Sequence, residues 1–299
     1  MSFDLKEVSR RVRALGTEIS PEAIQGTAAV YAPFHEREPY ASVSVVRDAS
    51  YGAHERHRLD VFRPVPAPGG SRPAPVLMFV HGGGFVAGDK RMPGSPYSDN
   101  VALWAVRQGL IGVNITYRLA PQFPWPAGAE DAAAAVAWVR RNIAEHGGDP
   151  QRIFLMGSSA GAAHAASYIT LRELRPASGL GLAGVVLCSG LYDLMRVPRN
   201  PFQLAYYGSD DEQHRRASML EGLISTEVPL LFVLTEMDPP EFQQQGLELL
   251  DAWVARHGRW PNFVHLLGHN HLSTTMHLNT PDEFLGQRLL DFIDRSAPA

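Results

Sequence analysis

A single cysteine, Cys188, stands in a chain of 299 residues, so no disulfide can form within it and no cysteine-based metal cage can assemble. That usage fits a reducing compartment. No uninterrupted apolar stretch comes near the roughly 18 residues needed to cross a bilayer. Met1 to Arg13 alternates charged and apolar residues and lacks the apolar run of a signal peptide. These absences predict a cytoplasmic chain with no membrane partner. Excess charge of either sign is missing too: Lys and Arg number 27 against 31 Asp and Glu, a net charge of −4. Such a balance does not attract phosphate backbones, so nucleic acid is not an expected partner. Two nucleotide signatures are also absent, the Gly-Lys-Ser/Thr ending of a phosphate loop and the Gly-x-Gly-x-x-Gly fingerprint.

Apolar residues are plentiful. At 45% hydrophobic and 19% charged, the composition supports a large core and excludes a disordered or collagen-like chain. The length suits one α/β domain over residues 1–299. Leu5, Val8, Val12 and Leu15 recur at helical spacing before Gly16, so residues 1–40 read as a helical cap segment. Ser42–Val46 and His57–Phe62 read as an antiparallel pair at a sheet edge, and Val65–Pro75 as a Pro/Gly-rich connector. Five continuous apolar runs follow, as expected for strands buried on both faces: Val76–Val80, Leu110–Ile115, Ile153–Met156, Ala183–Leu187 and Leu230–Leu234. A further run, Phe263–Leu267, is broken by His265. Helical patterns lie between them at Ser98–Arg107, Ala129–Ala144, Gly161–Leu174, Phe242–Arg256 and Glu283–Asp294. This alternation predicts an α/β fold with a mostly parallel sheet and helices on both faces. The stretch 191–228 is about twice a usual crossover in length and is expected to form a lid or pocket wall.

In an open parallel sheet, ligands bind at the carboxyl ends of the strands. After Val80 comes His81-Gly82-Gly83-Gly84-Phe85. After Met156 comes Gly157-Ser158-Ser159-Ala160-Gly161, a Gly-x-Ser-x-Gly pattern leading into a helix. A sharp strand-to-helix turn holds its central residue in a strained conformation, with the hydroxyl exposed at the positive end of the helix. That residue is Ser159. Either motif alone is a weak signal; the two in this order and context are a strong one.

Together with Tyr117-Arg118-Leu119-Ala120-Pro121, Gly148-Asp149-Pro150 and Glu236-Met237-Asp238-Pro239, these motifs make the chain resemble an α/β-hydrolase of the hormone-sensitive-lipase-like esterase group. The resemblance implies an eight-stranded sheet with a small helical insertion, no cofactor, and a carboxylesterase for small to medium acyl esters. It departs from the group at Ser158, where Asp is usual, and at His271-Leu272-Ser273, where His-Gly-Phe is usual. With Gly88-Asp89-Lys90, those features also resemble the arylformamidase (kynurenine formamidase) branch, which cleaves an N-formyl amide. A non-catalytic ligand-binding module would be expected to carry a broken triad.

A serine hydroxyl needs a base and an orienting acid. The fold's chain order is Ser, Asp/Glu, His. The acid is expected at Asp238, with Glu236 and Asp193 as rivals. The base follows Phe263–Leu267, at His269 or His271, which would project to the same side of an extended segment. The family register Gly-x-x-His, here Gly268-His269-Asn270-His271, favours His271. A His-x-His pair can ligate a metal, but no carboxylate near it in the sequence completes a set, so no metal is expected. His81 is expected to orient the oxyanion loop, and Gly83, Gly84 and Ala160 to donate N–H groups to an oxyanion. Phe85, Phe202, Leu204, Tyr206, Tyr207 and Met219 are the bulky residues expected around the substrate. A small-molecule ester is the expected partner, and a homodimer is compatible with the sequence.

Overall fold

The computed structural model describes residues 3–65, 72–177 and 179–296; most of the expected connector, 66–71, lies outside them. The described chain starts with helices α1 (Leu5–Arg13) and α2 (Pro21–Tyr31), capped by the side chains of Asp4 and Ser20. Strands β1 (Val43–Ser50), β2 (Arg58–Pro64) and β3 (Ala74–Val80) lead to α3 (Asp99–Arg107), β4 (Ile111–Ile115) and α4 (Ala127–Asn142). Then come β5 (Gly148–Ser158), α5 (Ala160–Thr170) and β6 (Gly184–Cys188). Three short helices, α6 (Pro201–Tyr207), α7 (Asp211–Ala217) and α8 (Leu220–Ser225), occupy the long stretch before β7 (Leu230–Met237). The chain closes with α9 (Pro240–His257), β8 (Asn262–Asn270), α10 (Ser273–Met276) and α11 (Phe284–Arg295).

The strands form one sheet in the order β1-β2-β4-β3-β5-β6-β7-β8. β1 with β2 and β2 with β4 pair antiparallel, and the remaining pairs are parallel. Alternation along each strand feeds two cores. Val76, Met78, Val80 and Leu155 face α4 and α5, whereas Leu77, Phe79, Phe154 and Cys188 face α3 and α11. Cys188 is fully buried and acts as a small core residue, its thiol pushed well above the usual range by burial. His265 does not break β8. The strand is at the sheet edge, Val264 and Leu266 are buried, and His265 and Leu267 take the exposed side.

β3 is flanked by β4 on one side and β5 on the other. The chain runs on from β3 to β4 on one side and from β5 to β6 on the other, and these opposite connections open a crevice at the carboxyl ends of β3 and β5. The His81-Gly82-Gly83-Gly84 loop and the Ser158-Ser159 turn both begin there.

Candidate active site

Ser159 sits between β5 and α5 with φ 56° and ψ −118°, outside the regions an L-residue favours, a strain of about 1–3 kcal/mol. Close packing holds it. A Cβ on Gly157 would meet the Gly161 carbonyl, and one on Gly161 would meet the Val80 carbonyl, so strand, turn and helix approach only because both residues are glycine. Ser159 N–H donates to the Cys188 carbonyl at 2.9 Å, tying the turn to β6. Ser159 is part-exposed and Ser158 buried. Gly82 closes over the turn; its Cβ would lie 3.3 Å from that of Ser159.

Asp238 follows β7 and is 1% exposed. Its Oδ1 lies 2.6 Å from His271 Nδ1, while its Oδ2 accepts from Ser189 Oγ at 2.8 Å and from Thr235 N–H at 2.6 Å. The carboxylate directs the imidazole proton to Nδ1, which leaves a lone pair on Nε2. That Nε2 is buried and has no hydrogen-bond partner among the described residues. The Phe242 ring packs 4.5 Å from the imidazole, centre to centre. The rival acids lie elsewhere. Glu236 accepts from Gly268 N–H at 2.6 Å and pairs with Arg13 at 2.7 Å, and Asp193 pairs with Arg196.

His269 and His271 do not share partners, contrary to the same-side expectation. The β7–β8 register shifts between Thr235 and Met237, and Gly268 takes φ 81°, so β8 is not regularly extended here. His269 faces Ser273 Oγ at 3.1 Å through Nδ1 and Asp282 Oδ2 at 3.2 Å through Nε2. The expectation that no carboxylate joins this His-x-His pair is therefore corrected: Asp282 and His277 converge on His269, although they are distant from it in sequence.

In the loop after β3, Gly83 (φ 124°), Gly84 (φ 59°) and Phe85 (φ 70°) form a tight turn in which the Gly83 carbonyl accepts from Val86 and Ala87. The N–H groups of Gly83, Gly84 and Ala160 find no acceptor among the described residues. His81 Nδ1 donates to the Gly82 carbonyl at 2.6 Å, and its ring stacks on Tyr117. Burial pulls the His81 pKa down to about 4, so it is neutral near pH 7. Lys90, of the Gly88-Asp89-Lys90 run, is buried between Asp48 at 2.7 Å and Asp60 at 2.8 Å, a structural use of that motif.

The expected substrate residues divide. Phe85 stacks on Tyr206 (4.5 Å, 4°) and meets Tyr207 edge-on at 5.3 Å. Phe202 is exposed and covers Gly84, whose Cβ would lie 3.2 Å from its ring. Tyr206 is core: its hydroxyl accepts from Gly128 N–H at 3.1 Å and faces His164 Nδ1 at 3.2 Å. Met219 is buried against Thr170, and Leu204 is exposed. A cavity of about 530 Å³ lies away from these residues, between α1 and β8, with Tyr31, His269 and Asp282 in its lining. Ser189 was not foreseen. Its only signal in the sequence is a hydroxyl directly after a buried strand, at the sheet's carboxyl edge.

Among the described residues, no helix is long and apolar enough to cross a membrane. Comparison with known proteins agrees with the fold. Esterase LipC of Mycobacterium tuberculosis is 34% identical over 209 residues, covering 63% of this chain and 50% of the relative. Esterase LipQ of the same organism is 35% identical over 208 residues, covering 67% and 48%. The chain thus spans about half the length of these curated relatives. A solved structure of a bacterial heroin esterase superposes with a TM-score of 0.71 at 21% identity, covering 98% of each chain, and supports the fold. A family model described as the alpha/beta hydrolase fold matches residues 77–229, from β3 to the threshold of β7, and the chain belongs to that family.

Proposed function

We propose that the chain is a carboxylesterase acting on small to medium acyl esters, with Ser159 as nucleophile, His271 as general base and Asp238 as the orienting acid. The observation that carries the reading is the 2.6 Å His271–Asp238 contact, with Nε2 buried and unpaired on the other side of the ring. Ser159 Oγ attacks the acyl carbonyl carbon and its proton passes to His271 Nε2. The carbonyl oxygen becomes an oxyanion, stabilised by the unpaired N–H groups of Gly83, Gly84 and Ala160, each worth about 3–4 kcal/mol in acyl transfer. The tetrahedral centre collapses, the alcohol leaves with the proton from Nε2, and the acyl group stays on Oγ. Water then repeats the sequence and releases the acid. Asp238 stays ionised throughout, balancing the imidazolium.

The esterase names of the curated relatives support ester hydrolysis. In this reading, residues 1–299 act as one hydrolase domain. Phe85, Tyr206, Tyr207 and Met219 form the backing of the acyl site, Phe202 and Leu204 its outer edge within 191–228, and residues 1–40 a cap. The lone buried cysteine supports a cytoplasmic setting. The arylformamidase alternative gains no support from Lys90 or Ser273, since both serve local structure. The test is a comparison of p-nitrophenyl acetate with N-formylkynurenine on wild type and Ser159→Ala. Ester turnover that is lost in the variant is expected; turnover of the formamide alone would overturn the reading.

A further inference from the structure

His269, near the end of β8, and His277 and Asp282, in the segment between α10 and α11, are 5%, 0% and 6% exposed. One candidate ligand atom from each can be chosen so that all fall within 4.8 Å of one another. The outer hydrogen bonds orient the two imidazoles. His277 Nδ1 lies 2.6 Å from the Ser273 carbonyl, an acceptor only, so the proton is on Nδ1 and Nε2 carries a lone pair. That Nε2 is buried with no hydrogen-bond partner among the described residues. His269 Nδ1 is held by Ser273 Oγ at 3.1 Å, and its Nε2 lies 3.2 Å from Asp282 Oδ2. One residue thus anchors both rings from the far side, the arrangement in which imidazole ligands are usually fixed.

The charge also calls for a partner. Asp282 is buried, pairs with no Lys or Arg among the described residues, and its carboxylate is met by His269 and a single backbone N–H, that of Phe284. A buried carboxylate without a fixed cation is costly. The Tyr31 hydroxyl is likewise buried, with Ser273 as its polar neighbour, and its ring centre lies 6.5 Å from those of both His269 and His277.

We propose that His269, His277 and Asp282 bind one divalent transition-metal ion of the Zn²⁺ type. Two nitrogens and a carboxylate oxygen suit such an ion, with a water or Tyr31 completing four-coordination. Two ligands on a tetrahedral Zn²⁺ stand about 3.3 Å apart, close to the His269–Asp282 spacing of 3.2 Å, and His277, within 4.8 Å of both, closes the remaining gap by moving inward when the ion binds. The cavity beside α1 gives access from solvent, since Tyr31, His269 and Asp282 line it. Three cations stand in that lining: Arg10 pairs with Glu7, Arg13 pairs with Glu236, and Lys6 is exposed to solvent and makes no ion pair with Asp282. The ion would clamp the end of β8 to the loop before α11. Its role is structural, and the site stands whether or not the esterase reading does.

The test uses full-length protein stripped with chelator, exposed to Zn²⁺ or Co²⁺ and desalted. About one equivalent per chain is expected, with visible Co²⁺ absorption of tetrahedral intensity and a Tm rise of about 3–5 °C in excess Zn²⁺. His277→Ala, and His277→Gln should the alanine variant misfold, should lose the bound metal and the Tm response. Sub-stoichiometric metal in wild type would overturn the proposal and leave a hydrogen-bonded His269–Asp282 dyad. Unchanged binding in the folded His277 variants would overturn it as well, assigning the ion to other histidines. Ester turnover is read separately, so its absence bears on the triad alone.

Discussion

At the scale of single residues, the candidate site depends on which side chains share a partner. Ser159 and Ser158 are adjacent, yet one heads α5 part-exposed and the other is buried at the end of β5. Ser159→Ala is expected to lower ester kcat/KM by several orders of magnitude with circular dichroism unchanged, while Ser158→Ala keeps most of the rate. The same logic separates His271 from His269. His271→Ala should remove nearly all turnover, whereas His269→Ala, which breaks the Asp282 contact, should retain a measurable rate at lower stability. A reversed result would move the base to His269. Ser189 gives a finer test. Its hydroxyl donates to Asp238 Oδ2, a bond to a charged acceptor worth about 1.5–3 kcal/mol, so Ser189→Ala should cut kcat roughly tenfold with KM little changed. An unaffected kcat would make Ser189 a packing residue only.

At the scale of elements, the crevice exists because β5 and α5 meet through glycines and α5 presses against β3. Gly161→Ala would drive a methyl group into the Val80 carbonyl, and overpacking of this kind costs about 1–3 kcal/mol. The expected result is a lower denaturant midpoint together with lost activity, because the same movement displaces Ser159. Full activity at wild-type stability would mean that the turn tolerates more room than its contacts allow. The short helices α6 to α8 set the other dimension. On α6, Tyr206 stacks on Phe85 and Tyr207 meets it edge-on, so the wall beside the glycine loop is bulky and fixed by a hydroxyl–backbone bond to α4. Acyl-chain profiling is expected to peak at about two to six carbons, a methylene being worth only about 1–3 kcal/mol in such a site. A clear optimum at twelve carbons would contradict it.

Across the whole molecule, buried histidines link the fold to acid. Burial lowers the pKa of His81 to about 4 and that of His164 to about 3, from 6.5. Between pH 6.5 and those values the unfolded chain takes up protons that the folded chain refuses, so stability falls as pH is lowered and is fully present only above 6.5. The Tm should decline steadily from pH 7 to pH 4.5. His164→Asn, which keeps a polar partner for Tyr206, should flatten that slope; an identical slope would assign the acid sensitivity to other groups.

The α/β class, the two antiparallel strands at one edge and the glycine-rich turns after β3 and β5 were legible in the sequence alone. Apolar runs of strand length, helical periodicity and glycine spacing are local signals, carried by residues within a few positions of one another. Strand ends were less legible: β5 and β7 run on past their apolar cores, because ladder hydrogen bonds continue where side-chain patterning stops. Long-range contacts decided the rest. The family register favours His271, but the physical separation of His269 from His271 comes from the folded chain, where a register shift and Gly268 turn them to carboxylates that lie 33 residues before His271 and 13 after His269. Ser189 meets Asp238 because β6 and β7 are neighbours in the sheet, and Tyr206 joins the core because α6 folds back onto α4. Those pairings depend on the packing of distant segments, which no local pattern in the chain records.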